Sequence, residues 1–202
     1  MANSVIDTLS FAPGEIVLYP GEADPKASLY RVREGLVVIQ YVDEEGNALT
    51  LRFVRPGDYF GEEALAHSER RYYAEAATSI KVDQINPELL KPEEIQDLTL
   101  HLVDALGHTY QTIQRIVSQR LKNRIAAAIL DFAQTPVAAK DDAGHWLIRT
   151  THDGIAAAVG SVRETVTKVI GELTREGYIQ SGYGKLVVLN LEGLKTLASE
   201  TA

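Results

Sequence analysis

A run of apolar and ring side chains at helical spacing dominates the middle of the chain. Leu98, Leu102, Leu106, Tyr110, Ile113, Val117 and Leu121 follow one another at intervals of 4, 4, 4, 3, 4 and 4. Such intervals stack side chains along one face of an α-helix. Pro92 suits the first turn of that helix, and Glu93 and Glu94 complement its positive end. Only Gly107 interrupts the pattern, which extends over about 36 Å. A stripe that long on a small domain needs a partner. The economical one is the same helix of a second copy, with Leu98, Leu102, Leu106, Ile113 and Val117 at the seam. The alternative is packing against the chain's own preceding residues.

Those preceding residues read as β-structure. EIVLY, SLYRVREG, LVVIQYV, ALTLRFV and AEAATSIKVDQI are rich in β-branched and aromatic residues and alternate in part. Turns fall at Pro13-Gly14, Pro20-Gly21, Glu45-Gly46-Asn47 and Pro56-Gly57-Asp58, which suits a compact barrel or roll. Beyond the long helix the pattern predicts another over Asn123 to Gln134, ended by Thr135-Pro136, then a polar stretch and a strand in HWLIRT.

The formal charge of −8 at pH 7 runs against binding a polyanion, so its distribution matters more than its total. Residues 1–121 carry 11 Lys/Arg and 19 Asp/Glu, whereas residues 122–202 carry 9 of each. The acidity belongs to the first part, and the second is neutral. There is no cysteine, which excludes disulfides, thiolate catalysis and Cys-ligated metals and suits a reducing cytoplasm. The N-terminus lacks the pattern of an export signal, and no stretch of about 18 apolar residues occurs. A soluble cytoplasmic protein that does not engage a membrane is expected.

The informative segment follows. Thr151 can cap a short helix over Asp153–Val159; Gly160 supplies a turn, and a second helix opens at Ser161 with Glu164 in capping-box spacing. On that second helix Arg163, Glu164, Thr167 and Lys168 share one polar arc, while Val162, Val166, Val169, Ile170 and Leu173 take the other side. An ordinary amphipathic surface helix would look the same. Tyr178 to Ser181, the Gly-Tyr-Gly turn at 182–184 and Lys185 to Leu189 then read as a β-hairpin.

The run THDGIAAAVGSVRETVTKVIGELTREGYI resembles the winged helix-turn-helix of the cyclic-AMP receptor protein and fumarate–nitrate regulator (CRP/FNR) family. The likeness extends over the whole chain in order: glycine-punctuated β-roll, long dimer helix, winged helix-turn-helix. It implies an α+β protein. An antiparallel β-roll of the cyclic-nucleotide-binding kind is expected over 1–91, a dimerisation helix over 92–121 and a DNA-binding domain over 122–202. The Arg163-Glu164-Thr165-Val166 sequence is of the CRP type. An arginine fork can donate twice to guanine and a carboxylate can accept from cytosine N4. Lys168 stands where that type usually has arginine, which removes a bidentate contact. By the same resemblance Thr165 should touch phosphate, as should Thr151 or His152, with Ser161 and Thr167 beside them; His152 replaces a residue that is commonly arginine.

In this family the β-roll often holds a cyclic nucleotide, and GEEALAHSERRYYAEAAT, residues 61–78, resembles its phosphate cassette. Gly61 would admit close backbone approach, Glu62 would accept from a ribose hydroxyl, and Arg70 aligns with the phosphate-binding arginine. Glu63, Arg71 and Tyr72 depart from the cyclic-AMP pattern. Thr109 matches a position that meets the adenine, yet Tyr110 replaces a serine. Two readings stay open: a different or modified effector, cyclic AMP among the possibilities, or a pocket closed by its own side chains. In the second, Arg70 and Arg71 pair with Glu62 and Glu63, tyrosines fill the space and no cofactor is required, as in effector-independent stress regulators of the family.

Enzymes are disfavoured. The β-region has a single histidine, His67, and no His-x-His pair; no G-x-S-x-G elbow occurs and no metal site is expected. The expectation is therefore a homodimeric regulator of transcription that binds double-stranded DNA at an inverted repeat and activates by recruiting RNA polymerase. A nucleotide-binding module that never touches DNA is the rival class.

Overall fold

The computed structural model describes residues 4–21 and 28–200; residues 1–3, 22–27 and 201–202 of the regions expected above lie outside it. The chain divides into two compact units, residues 1–42 with 51–110 and residues 43–50 with 111–202.

Eight strands precede the long helix: β1 (Val5–Phe11), β2 (Ile16–Leu18), β3 (Leu29–Glu34), β4 (Val37–Val42), β5 (Ala48–Val54), β6 (Tyr59–Phe60), β7 (Tyr73–Ala76) and β8 (Ile80–Ile85). They form two four-stranded sheets, in the orders β1-β8-β3-β6 and β2-β7-β4-β5. Alternation sends one set of side chains inward. Val32, Val37, Ile39, Phe60, Ala74 and Val82, drawn from both sheets, meet in one buried cluster. Tyr30 stacks on Phe60 with ring centroids 5.2 Å apart.

The helix α1 (Pro92–Ser118) begins at the expected proline. Its apolar residues divide between two faces. Leu98, 3% exposed, is buried with Leu29, Tyr59 and Ile85, and Leu102 packs on the same cluster. These two were expected at the dimer seam; their partner is the chain's own β-structure. Leu121, the last member of the sequence pattern, lies beyond the end of α1 and opens the next helix.

In the second unit α2 (Leu121–Phe132) precedes β9 (Ala138–Lys140), β10 (Trp146–Ile148), α3 (His152–Val159), α4 (Arg163–Arg175), β11 (Ile179–Gly182), β12 (Lys185–Val188) and α5 (Leu191–Ser199). The strands form one antiparallel sheet in the order β11-β12-β10-β9. Buried Ile125 and Ile129 of α2, Ile155 of α3, Val166 and Ile170 of α4 and Ile179 of β11 supply its largely aliphatic interior. β9 and α5 have no counterpart in the sequence reading. The short β9 pairs with β10 through Ala138↔Ile148 and Lys140↔Trp146, a register that composition does not reveal.

Candidate nucleic-acid interface

The α3–α4 corner is shaped by local chemistry. The Thr151 hydroxyl accepts from the Gly154 N–H at 3.0 Å, which caps α3 and makes His152 its first residue. Gly160 ends it with φ 60°, a left-handed conformation that disfavours a Cβ. The Ser161 N–H reaches the carbonyl of Ala156 at 3.0 Å and the Gly160 N–H that of Ala157 at 3.4 Å, the Schellman pattern. From α2, Arg124 Nε donates to the Val159 carbonyl at 3.2 Å and holds the end of α3 in place.

The second helix starts one residue later than a capping box at Ser161 predicts. Its N-cap is Val162, which makes no side-chain cap bond, so Ser161 and Glu164 do not form a capping box. Val162, placed on the inner face by the helical wheel, is 48% exposed because it lies outside the first helical turn. Within α4, Val166, Ile170 and Leu173 are buried, while Arg163, Glu164, Thr165, Thr167 and Lys168 are exposed together.

Three contacts on this surface escaped sequence reasoning. Arg163 pairs with Asp153 of α3 at 3.2 Å, with side chains 64% and 62% exposed. His152 Nδ1 lies 2.9 Å from Thr167 Oγ1 on α4, and its Nε2 lies 3.5 Å from Ser181 Oγ on β11. Recognition-type helix and hairpin thus meet through one imidazole. The hairpin pairs Ile179↔Val188 through Gly182↔Lys185 and carries a fully exposed Tyr183 at its tip.

In the first unit the cassette residues have found partners. Gly61 sits at φ 81°, and a Cβ there would come within 3.1 Å of the Ser28 carbonyl oxygen. Glu62 is bound by Arg52, with side chains only 15% and 11% exposed. Arg52 Nη1 also lies 3.2 Å from His101 Nε2, and His101 Nδ1 lies 3.6 Å from Asp58. Burial pushes the Asp58 carboxyl up, but hydrogen bonds from His101 and the Arg55 N–H outweigh it and leave the group below its ordinary range. Tyr72 is buried, and its hydroxyl donates to Glu63 at 2.6 Å. Burial above all, then the charges of Glu62 and Glu63, push its phenol upward.

The sequence reading expected Arg70 and Arg71 to serve these carboxylates. The bonds to Glu62 and Glu63 come instead from Arg52 and Tyr72. Arg52 lies ten positions before Glu62, and β5 must fold against the cassette before the pair exists. Arg70 is buried and Arg71 exposed. Thr109 turns its hydroxyl back onto the Ala105 carbonyl at 2.9 Å, and Tyr110 is 62% exposed.

On α1, Val103, Leu106, Tyr110, Ile113 and Val117 are exposed. Their intervals of 3, 4, 3 and 4 are those of a coiled-coil seam. Val103 was missed because the stripe ran through its neighbour Leu102. Among the described residues no helix is long and apolar enough to cross a membrane.

The comparisons with known proteins fit this geometry. Residues 123–197 match the Crp-like helix-turn-helix domain and residues 8–91 the cyclic nucleotide-binding domain. Transcriptional regulator SdrP of Thermus thermophilus is 57% identical over 97% of this chain and 96% of its own length. Transcriptional regulator LdrP of the same species is 36% identical over 92% of this chain and 93% of its own. A crystal structure of a CRP/FNR-family transcriptional regulator, also from Thermus thermophilus, superimposes with a TM-score of 0.92 at 56% identity, covering 97% of this chain and all of the other. A regulator of transcription with a helix-turn-helix DNA-binding domain is the class these features define. The chain belongs to the CRP/FNR family.

Proposed function

We propose that this regulator acts as a homodimer on an inverted repeat, activates transcription in the cytoplasm by recruiting RNA polymerase, and needs no cyclic nucleotide. The observation that carries the DNA-reading assignment is the exposed set Arg163, Glu164 and Lys168 on a helix whose opposite face is buried. Arg163 donates to guanine, Glu164 accepts from cytosine, and Lys168 contributes a single point charge. Thr165, Thr167, Ser161, Thr151 and His152 lie around them as backbone-facing groups. Two such helices enter major grooves about 34 Å apart.

The dimer reading rests on the exposed seam of α1. Replacing Ile113 by Glu there places a charge in each half of the joint, and sedimentation should show self-association weakened on the order of a hundredfold; an unchanged dimer overturns the seam. The neutral charge of residues 122–202 supports binding through local cations, and affinity should fall steeply with salt. The likeness to named transcriptional regulators supports a role in transcription, and run-off transcription on a bound promoter tests the activator reading.

Effector independence draws on Glu62 and Tyr72. The carboxylate that would accept from a ribose already holds Arg52, and the Tyr72 ring occupies core space beside the cassette. These residues do not fit a cyclic nucleotide. Binding of an inverted-repeat duplex with and without cyclic AMP, paired with isothermal titration, is the test; saturable micromolar uptake favours a nucleotide-dependent regulator, the reading that the domain match over 8–91 supports.

A further inference from the structure

His152 sits where three elements converge. Capped by Thr151, it is the first residue of α3; its ring reaches Thr167 on α4 at 2.9 Å and Ser181 on β11 at 3.5 Å. Thr167 is exposed, and both His152 and Ser181 are half-buried, so the ring underlies the surface as well as bordering it. We propose that His152 is a positioning residue of the DNA-reading surface, which ties the recognition helix to the wing and takes up a proton when DNA binds. The inference rests on the reading that α4 and the wing face DNA.

Neutral imidazole donates from one nitrogen and accepts at the other. One of the two hydroxyls must therefore give its hydrogen to the ring. Imidazolium donates from both nitrogens, which leaves the hydrogens of Thr167 and Ser181 free to turn toward phosphate and adds a positive charge beneath them. The protonated ring is thus the form that suits a bound polyanion.

The elements that meet at His152, with the strand paired to β11, carry Asp153 on α3, Arg163, Glu164 and Lys168 on α4, and Lys185 on β12. Asp153, the next residue in the chain, is neutralised by Arg163 at 3.2 Å. By linkage, affinity rises as pH falls through the range in which imidazole titrates.

The test uses the full-length protein and the duplex it enriches from a random-sequence pool, with affinity read by fluorescence anisotropy between about pH 8 and about pH 6. His152→Ala should cost about three- to tenfold in affinity, more at the acid end. His152→Asn keeps an amide near the position of Nδ1 and can bond Thr167, but it cannot take up the proton. It should recover part of the affinity while its profile stays flatter than that of the wild type. A merely structural role would leave no such difference in profile. Profiles of equal slope in wild type and His152→Asn overturn the proton linkage, and full affinity in His152→Ala overturns the positioning role. Enrichment of no duplex by the wild type overturns the DNA reading and the inference with it.

Discussion

The α4 surface proposed to face DNA and the β-roll cassette that matches the cyclic nucleotide-binding domain each display charged and hydroxyl side chains from a short segment, and the two differ in what those side chains touch. On α4 the charged groups point outward: Arg163 has only an exposed ion pair with Asp153, and Glu164 and Lys168 lie in the open. In the β-roll the corresponding groups are half-buried and bonded, Glu62 to Arg52 and Glu63 to Tyr72. An exposed pair contributes little and exchanges readily for a ligand. A buried pair is costly to break because the remaining charge is stranded. Two regions that look equally equipped in sequence therefore differ in their readiness to bind.

The contrast can be broken most forcefully at Arg52. Arg52→Ala should leave the half-buried Glu62 without its cation and cost about 2 kcal/mol of stability, read as a lower denaturant midpoint; a loss close to zero would mean that the cassette is not held closed by this pair. Arg163→Ala, its counterpart on the outer surface, should leave stability unchanged and cost about 1–3 kcal/mol of discrimination at one base pair in each half-site. An unchanged footprint and base preference would remove Arg163 from the reading set.

Tyr72→Phe comes next, with about 1–2 kcal/mol expected from the lost bond to Glu63. It also carries a pH signature. The folded phenol titrates above its ordinary value of 10.0, so above that pH the unfolded chain releases a proton that the folded chain keeps. The stability Tyr72 contributes is present below pH 10 and lost as pH rises beyond it. Phe should flatten this alkaline limb, as urea titrations across the range would show. The smallest effect belongs to Asp153→Asn, which frees Arg163 and removes a carboxylate facing phosphates. Anisotropy should record affinity raised about two- to fivefold, with thermal stability unmoved.

Element types and their order were largely legible, since the helical and β periodicities come from local geometry. The start of α1 at Pro92, the cap at Thr151 and the turn at Gly160 each depend on residues a few positions apart. The misses have one physical origin. Val162 sits one residue before the first helical turn of α4, so a wheel projected back to it assigns the wrong face. Leu98 and Leu102 repeat as the seam does, and only the docking of α1 on Tyr59 and Ile85 separates them from Leu106 and Ile113. Arg52, Asp153 and Ser181 belong to the two surfaces through pairings across elements that no local pattern carries.

The helix-turn-helix segment, the acidic first part and the long amphipathic helix were determined by sequence alone, because spacing, capping and charge are properties of neighbours along the chain. Tertiary structure decided which apolar face of α1 stays uncovered, which cation holds Glu62 and what His152 touches. Those outcomes depend on distances between residues far apart in sequence. Burial then determines whether a charged group keeps a bond or remains available to make one.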